Sequence, residues 1–314
     1  MLLSSVLSVA ALAASCLGAK LEQVTNFGEN PTKIYMYIYV PDKLAAKPAV
    51  IVAVSSTPLP GKPLNSHTDK LLPQLHPCGG TAPSWYSGTK LPSYADQNGF
   101  ILIYPGTPNQ SNCWDVQNPA SLTHGAGGDA LGIVSMINHT LAHHGADPSR
   151  VFVMGSSSGA MMTNLLAGAY PDVFEAGSAF SGVAFGCFAG AAGATPFSAN
   201  QTCAQGQLQH TPEQWGSFVR TAYPGYAGRR PRMQIWHGLA DALVRPQCAA
   251  QALEQWSDVL GVPWSKNVTG TPSSAYTQML YGDGTKLQGY FGVGVGHTAP
   301  VNEVYMLRFF GLVA

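Results

Sequence analysis

The sequence predicts an α/β protein with a mostly parallel sheet and helices on both faces. Three observations predict it. Short apolar runs rich in β-branched and aromatic residues recur along the chain, as strands buried on both faces require. Helix-like stretches lie between them, as crossovers between parallel strands need. Hydrophobic residues make up 46% of the 314 and are spread throughout, which suffices for one sizeable core.

The elements follow in order. Residues 1–19 form a small, apolar, uncharged run that ends in Leu17-Gly18-Ala19 before Lys20. This run is short for a membrane span and reads as a cleaved secretory signal, with a buried N-terminal helix as the other reading. Residues 20–314 are expected to form one domain. Residues 34–40 and 49–54 read as strands, and 100–104 as a buried strand closed by Pro105-Gly106. Asp129, as N-cap, opens a helical pattern to about His144. Residues 151–154 form a strand running into Gly155, and a helix follows from Ser158 to about Tyr170, closed by Pro171. Further strands fit 176–180, 232–237 and 288–293, and a last helix fits 301–311.

Charge narrows the partners. Lys+Arg and Asp+Glu both number 16, so the net charge is zero, and only 10% of residues are charged. No basic run points to nucleic acid and no acidic tail to a solvating segment. Beyond the leader, no segment is long and apolar enough for a membrane. A monomer is expected.

Secretion makes disulfides the default for the cysteines. Cys16 leaves with the leader, and Cys78, Cys113, Cys187, Cys203 and Cys248 remain. Cys187 and Cys203 bracket a short Gly/Ala-rich loop that a bridge could close. Cys78 with Cys113 is the next plausible pair, which leaves Cys248 over. Spacing alone decides neither, and no Cys or His cluster has zinc-ligand spacing. Asn-x-Thr sequons at Asn138, Asn200 and Asn267 are candidate glycan sites. Asn138 is the weakest of them because it lies in an expected helix.

The chemistry centres on Gly155-Ser156-Ser157-Ser158-Gly159, a G-x-S-x-G motif with a strand before it and a helix after. A strand-to-helix turn this sharp strains the nucleophile's backbone and needs small residues two before and two after it. The helix that starts there aims its first amides at the reacting centre, so the Ser158 N–H can be one oxyanion donor. This context predicts the α/β-hydrolase arrangement, with an acid and then a histidine following the serine in the chain. A serine needs a base to be nucleophilic at neutral pH. His210, His237 and His297 follow it, and His297 sits in the glycine-rich loop Gly292-Val293-Gly294-Val295-Gly296, after a strand and before the last helix. His237 ends a strand and is expected to be structural or to support the site indirectly; His210 lies in a polar loop and is expected to be solvated. Asp241, in His237-Gly238-Leu239-Ala240-Asp241, supplies the acid that fixes the histidine tautomer. Asp129 and Asp115 are rivals but precede the nucleophile. The expected reaction is ester hydrolysis through an acyl-enzyme, with no metal and no organic cofactor.

At these residues the chain resembles fungal acetylxylan esterases of carbohydrate esterase family 1, a family that includes feruloyl esterases and is related to polyhydroxybutyrate depolymerases. The matching stretches are VTNFGENPTKIYMYIYVP, CWDV with SLTH, VFVMGSSSGAMMTN, TCAQG, YPGYAGRRPRMQIWHG and GVGHTAP. The family's nucleophile falls on Ser157, its acid on Asp241 and its base on His297. The resemblance implies an extracellular enzyme that removes acetyl groups from xylan, with a feruloyl or other short-acyl ester as the alternative. A catalytically impaired carbohydrate-binding relative is a third reading, against which the intact Ser157, Asp241 and His297 argue. The family's other oxyanion element, a His-x-Cys-x-Gly-type turn, corresponds to His76-Pro77-Cys78-Gly79-Gly80. About twenty residues, 56–75, separate it from the preceding strand and read as a retained short intron or a surface loop. Trp114 in CWDV is a candidate sugar platform, with core packing the equal alternative. Trp85 and Tyr86 are weaker candidates for the same mouth.

Overall fold

The computed structural model describes residues 19–54, 79–108, 112–190 and 200–314. In chain order the elements are β1 (Leu21–Val24), β2 (Tyr35–Tyr39), β3 (Val50–Val54), α1 (Ala82–Gly88), α2 (Leu91–Asn98), β4 (Ile101–Gly106), α3 (Pro119–Leu122), α4 (Gly128–His144), β5 (Val151–Ser156) and α5 (Ser158–Ala169). They continue with β6 (Ala176–Phe180), α6 (Gln201–Ala204), α7 (Pro212–Ala222), β7 (Arg232–Gly238), α8 (Pro246–Leu260), β8 (Trp264–Thr269), β9 (Tyr276–Tyr281), β10 (Leu287–Gly292) and α9 (Glu303–Phe310).

The strands form one sheet of ten in the order β1-β2-β4-β3-β5-β6-β7-β10-β9-β8. The central run from β4 to β10 is parallel, and antiparallel strands flank it on both sides. Alternate residues of the central strands enter two separate cores. Val50, Val52, Val54, Val151 and Val153 face one side, against α4, α5 and α8. Ile51, Ala53, Phe152 and Met154 face the other, against α1, α2 and α9. Burial on both faces is why β3, β5 and β6 are buried at every position. On the second face Trp236 stacks on Tyr290 at 3.7 Å, and Phe152 on Phe310 at 4.7 Å, which seats the C-terminal helix.

Two local expectations change. Gly127 is the N-cap of α4, and Asp129 lies inside the first turn, where its buried carboxylate accepts the Asp115 N–H at 3.0 Å. His210 is half-buried, edge-on to Trp215 at 4.7 Å and to Phe218 at 5.3 Å, rather than solvated. Cys187 and Cys203 form a disulfide with Cα atoms 5.7 Å apart. Cys113 is disulfide-bonded, and Cys78, its expected partner, lies outside the described residues. Cys248 is free and buried, its thiol pushed up to about 12 by burial. The leader 1–18 and the segment 56–75 also lie outside the described residues.

Candidate active site

The site lies past the carboxyl ends of the parallel strands, where open α/β sheets place their crevices. Ser157 follows β5, Asp241 comes three residues after β7, and His297 five after β10. Three strand spacings separate β5 from β10, with β7 between them, so about 14 Å of sheet lies beneath the three residues. Loops must close that distance.

The serine is held by strain. Ser157 has φ 55° and ψ −122°, a region that costs a non-glycine residue about 1–3 kcal/mol. Its N–H donates to the Phe180 carbonyl at 2.8 Å, which ties the turn to β6. A Cβ on Gly155 would strike the Gly159 carbonyl and come within 2.9 Å of the Val54 carbonyl oxygen. The motif therefore needs its first glycine so that the strand can pass this close to the helix. Ser158 opens α5, and first-turn N–H groups have no carbonyl partner within a helix. The Ser158 hydroxyl accepts the Trp114 N–H at 2.7 Å, so its side chain braces the neighbouring loop while its backbone faces the turn.

The histidine loop is fastened at three points. The Leu239 N–H donates to the Gly292 carbonyl at 2.8 Å, and the Ala240 N–H to the Val295 carbonyl at 2.9 Å. The Ala299 N–H donates to the Ser181 hydroxyl at 2.8 Å. Gly238 permits this approach, because a Cβ there would collide with the Val295 carbonyl. The result is a continuous chain. Ser157 Oγ lies 2.9 Å from His297 Nε2, and His297 Nδ1 lies 2.7 Å from Asp241 Oδ2. All three side chains are nearly enclosed.

Asp241 is over-determined. Its Oδ1 accepts the Leu243 and Val244 N–H groups, both at 2.9 Å. Its Oδ2 is shared between His297 and His237 Nε2, the latter at 3.3 Å. Burial pushes its carboxyl up, but hydrogen bonds from His237 and His297 outweigh burial and hold it well below the usual carboxylate range. The group is thus a fixed negative charge against His297. Such an arrangement can draw a proton from Ser157 and stabilise the imidazolium that results.

The comparisons point the same way. Residues 59–260 match the family described as Esterase PHB depolymerase. That stretch holds Ser157 and Asp241. The chain belongs to this family. It is 67% identical over 313 residues to feruloyl esterase B of Neurospora crassa, covering 100% of both chains. It is 42% identical over 294 residues to acetylxylan esterase A of Aspergillus ficuum, covering 93% of this chain and 89% of that one. The solved acetyl xylan esterase from Aspergillus awamori superposes with a TM-score of 0.84 at 40% identity, covering 94% of this chain and 100% of that chain. The chain is accordingly a carboxylic ester hydrolase with the α/β-hydrolase fold.

Other expected residues fall differently. Trp114 is 1% exposed and packs in the core. A ring so enclosed offers no face to a sugar, so the platform reading is corrected to packing. Trp85 is buried too, and Tyr86 is half-buried against Tyr39 and Tyr104. Gly79 has φ 137°, a backbone suited to glycine; Cys78 lies outside the described residues. Asp115 accepts from the Asn118 N–H and the Ser121 hydroxyl, away from the esterase's histidine. His237 supports the site indirectly, as expected, through its Nε2 at 3.3 Å from Asp241 Oδ2, and their four-residue spacing at the end of a strand is the signal for this particular contact. Among the described residues no group of three or more His, Cys, Asp or Glu could hold a metal ion, and no helix is long and apolar enough to cross a membrane.

Proposed function

We propose that this esterase acts outside the cell and removes acetyl groups from acetylated xylan. Ser157 is the nucleophile, His297 the general base and Asp241 the acid that orients it. The observation that carries the reading is the unbroken contact from Ser157 Oγ through both nitrogens of His297 to Asp241 Oδ2.

The steps follow from those contacts. Ser157 Oγ attacks the ester carbonyl carbon while its proton passes to His297 Nε2. The tetrahedral oxyanion is held by the Ser158 N–H, with the Cys78 and Gly79 amides as the other donors. As the intermediate collapses, His297 gives the proton to the departing sugar hydroxyl. Water then loses a proton to His297 and attacks the acyl-serine; as the acyl–Oγ bond breaks, His297 returns that proton to Ser157 Oγ and the acetyl group leaves as acetic acid. Asp241 remains ionised throughout and opposes the imidazolium charge. The residues supply every proton transfer, so the route needs no metal or organic cofactor.

A feruloyl ester is the second reading. It is favoured by the 67% identity to a feruloyl esterase B over the whole chain, against 42% to an acetylxylan esterase A. Chemistry at Ser157 is common to both, and only the acyl group differs. The deciding experiment measures acetic acid released from acetylated xylan and ferulic acid released from a feruloylated xylo-oligosaccharide, with Ser157→Ala beside the native enzyme. Acetate release that vanishes in the variant supports the first reading. Ferulate release with little acetate transfers it to the second. Release that persists in the variant overturns both. The enzyme is expected in the medium as a monomer, with residues 1–19 removed.

A further inference from the structure

The far edge of the sheet carries a feature that ester hydrolysis does not use. Strand β8 is the last of the sheet and pairs only with β9 among the described residues. Its residues Trp264, Ser265, Lys266, Asn267 and Thr269 are exposed. An open edge presents unpaired backbone groups to any second strand.

A bulge sets the side chains of this edge. Trp264 pairs with Tyr281, but Lys266 pairs with Leu280 and Asn267 with Met279. Ser265 is therefore the extra residue, and its hydroxyl donates to the Leu280 carbonyl at 3.0 Å. In a regular strand, residues three apart point to opposite faces. The extra residue makes Trp264 and Asn267 two ladder positions apart, opposite Tyr281 and Met279, and so places them on one face. The Trp264 indole N–H donates to Asn267 at 3.0 Å. An indole N–H only donates, so the atom it meets must be the amide oxygen Oδ1. Nδ2, the atom that carries sugar in an Asn-x-Thr sequon, is left without a partner among the described residues. Beside it Trp264 is 54% exposed.

The other two sequons lack this arrangement. Asn200 uses its side chain at the start of α6, accepting the Cys203 N–H at 3.1 Å and donating Nδ2 to the Cys187 carbonyl at 3.4 Å. Asn138 stands on α4.

We propose that Asn267 carries an N-linked glycan whose first sugar lies on the exposed face of Trp264, and that this glycan shields the open edge of β8. An aromatic ring offers an apolar face to a pyranose, and a sugar rooted on the edge strand itself blocks a second sheet. The proposal rests on passage through the secretory route.

The test uses the enzyme secreted from a fungal host. Glycopeptide mass spectrometry finds Asn267 occupied. Trimming the native enzyme to its first sugar leaves Tm unchanged, whereas Asn267→Gln lowers it by about 1–4 °C. That loss disappears when Asn267→Gln is made in a Trp264→Ala background and returns in a Trp264→Tyr background. In sedimentation the glycosylated enzyme is monomeric and Asn267→Gln self-associates. Secreted enzyme with bare Asn267 overturns the proposal and leaves the extracellular reading standing. Enzyme that never reaches the medium removes both. An equal loss of Tm with and without Trp264 overturns the seating of the sugar, and a monomeric Asn267→Gln overturns the shielding.

Discussion

His237→Ala removes the second histidine from Asp241. In the native site the His237 Nε2–H is divided between the Val244 carbonyl at 2.8 Å and Asp241 Oδ2 at 3.3 Å. Hydrogen bonds to charged groups contribute about 1.5–3 kcal/mol, and a long, shared bond belongs at the low end. About 1.5 kcal/mol corresponds to roughly a tenfold fall in kcat. The loss stays well short of removing the carboxylate, because the Leu243 and Val244 N–H groups still hold Oδ1. The assay is kcat on 4-nitrophenyl acetate, with Tm followed from pH 6 to pH 3. Asp241 is held below its unfolded value of about 3.9. It therefore contributes stability above that pH, which is lost as pH falls toward the depressed folded value. Without His237 the depression is smaller, so the part of Tm lost on acidification shrinks. His237→Gln, which keeps a side-chain N–H, restores part of both. An unchanged kcat together with an unchanged dependence of Tm on pH would refute the positioning role of His237.

Three further outcomes are expected. Gly238→Ala pushes the Val295–Gly296 turn away from β7, and a shift of that kind at the base lowers kcat about 10²-fold, read by the same assay. Cys187→Ser with Cys203→Ser opens a bridge spanning 16 residues and lowers unfolding free energy by about 3 kcal/mol, measured by urea denaturation. Cys248 is enclosed and its thiol is pushed up to about 12, so a disulfide reagent labels it only after unfolding; peptide mapping of native and denatured samples checks this.

The sequence exposes the central sheet because strands buried on both faces must be continuously apolar, as at 49–54 and 151–154. The serine turn is legible for a steric reason, since a Cβ on Gly155 would meet the Gly159 backbone where strand and helix cross. His297 is legible because the glycine-rich loop 292–296 ahead of it returns across the sheet to Ser157. The helix α7 went unread although Thr211 and Gln214 form a capping box at its start with proline in its first turn. Strands β8 and β9 went unread because an edge hairpin is half-exposed and lacks the apolar run of the central strands. The two readings of Trp114, platform and core packing, stay level in the sequence for a different reason. A tryptophan beside a catalytic turn has one composition whether it faces solvent or core, and only the packing around it, with its N–H on Ser158, distinguishes them. His237 is similar, for its function depends on a contact with Asp241 that is made only once the loop after β7 folds back.

The activation of Ser157 by His297 against Asp241 is open to direct test. The most direct measurement treats the enzyme with a phosphonate ester and locates the adduct by peptide mass spectrometry, while the rate of labelling is followed in the native enzyme, His297→Ala and Asp241→Asn. A single adduct on Ser157 is expected, with labelling slowed at least about 10³-fold in His297→Ala and strongly slowed in Asp241→Asn. An adduct on another residue, or labelling of Ser157 at the native rate without His297, would contradict that activation.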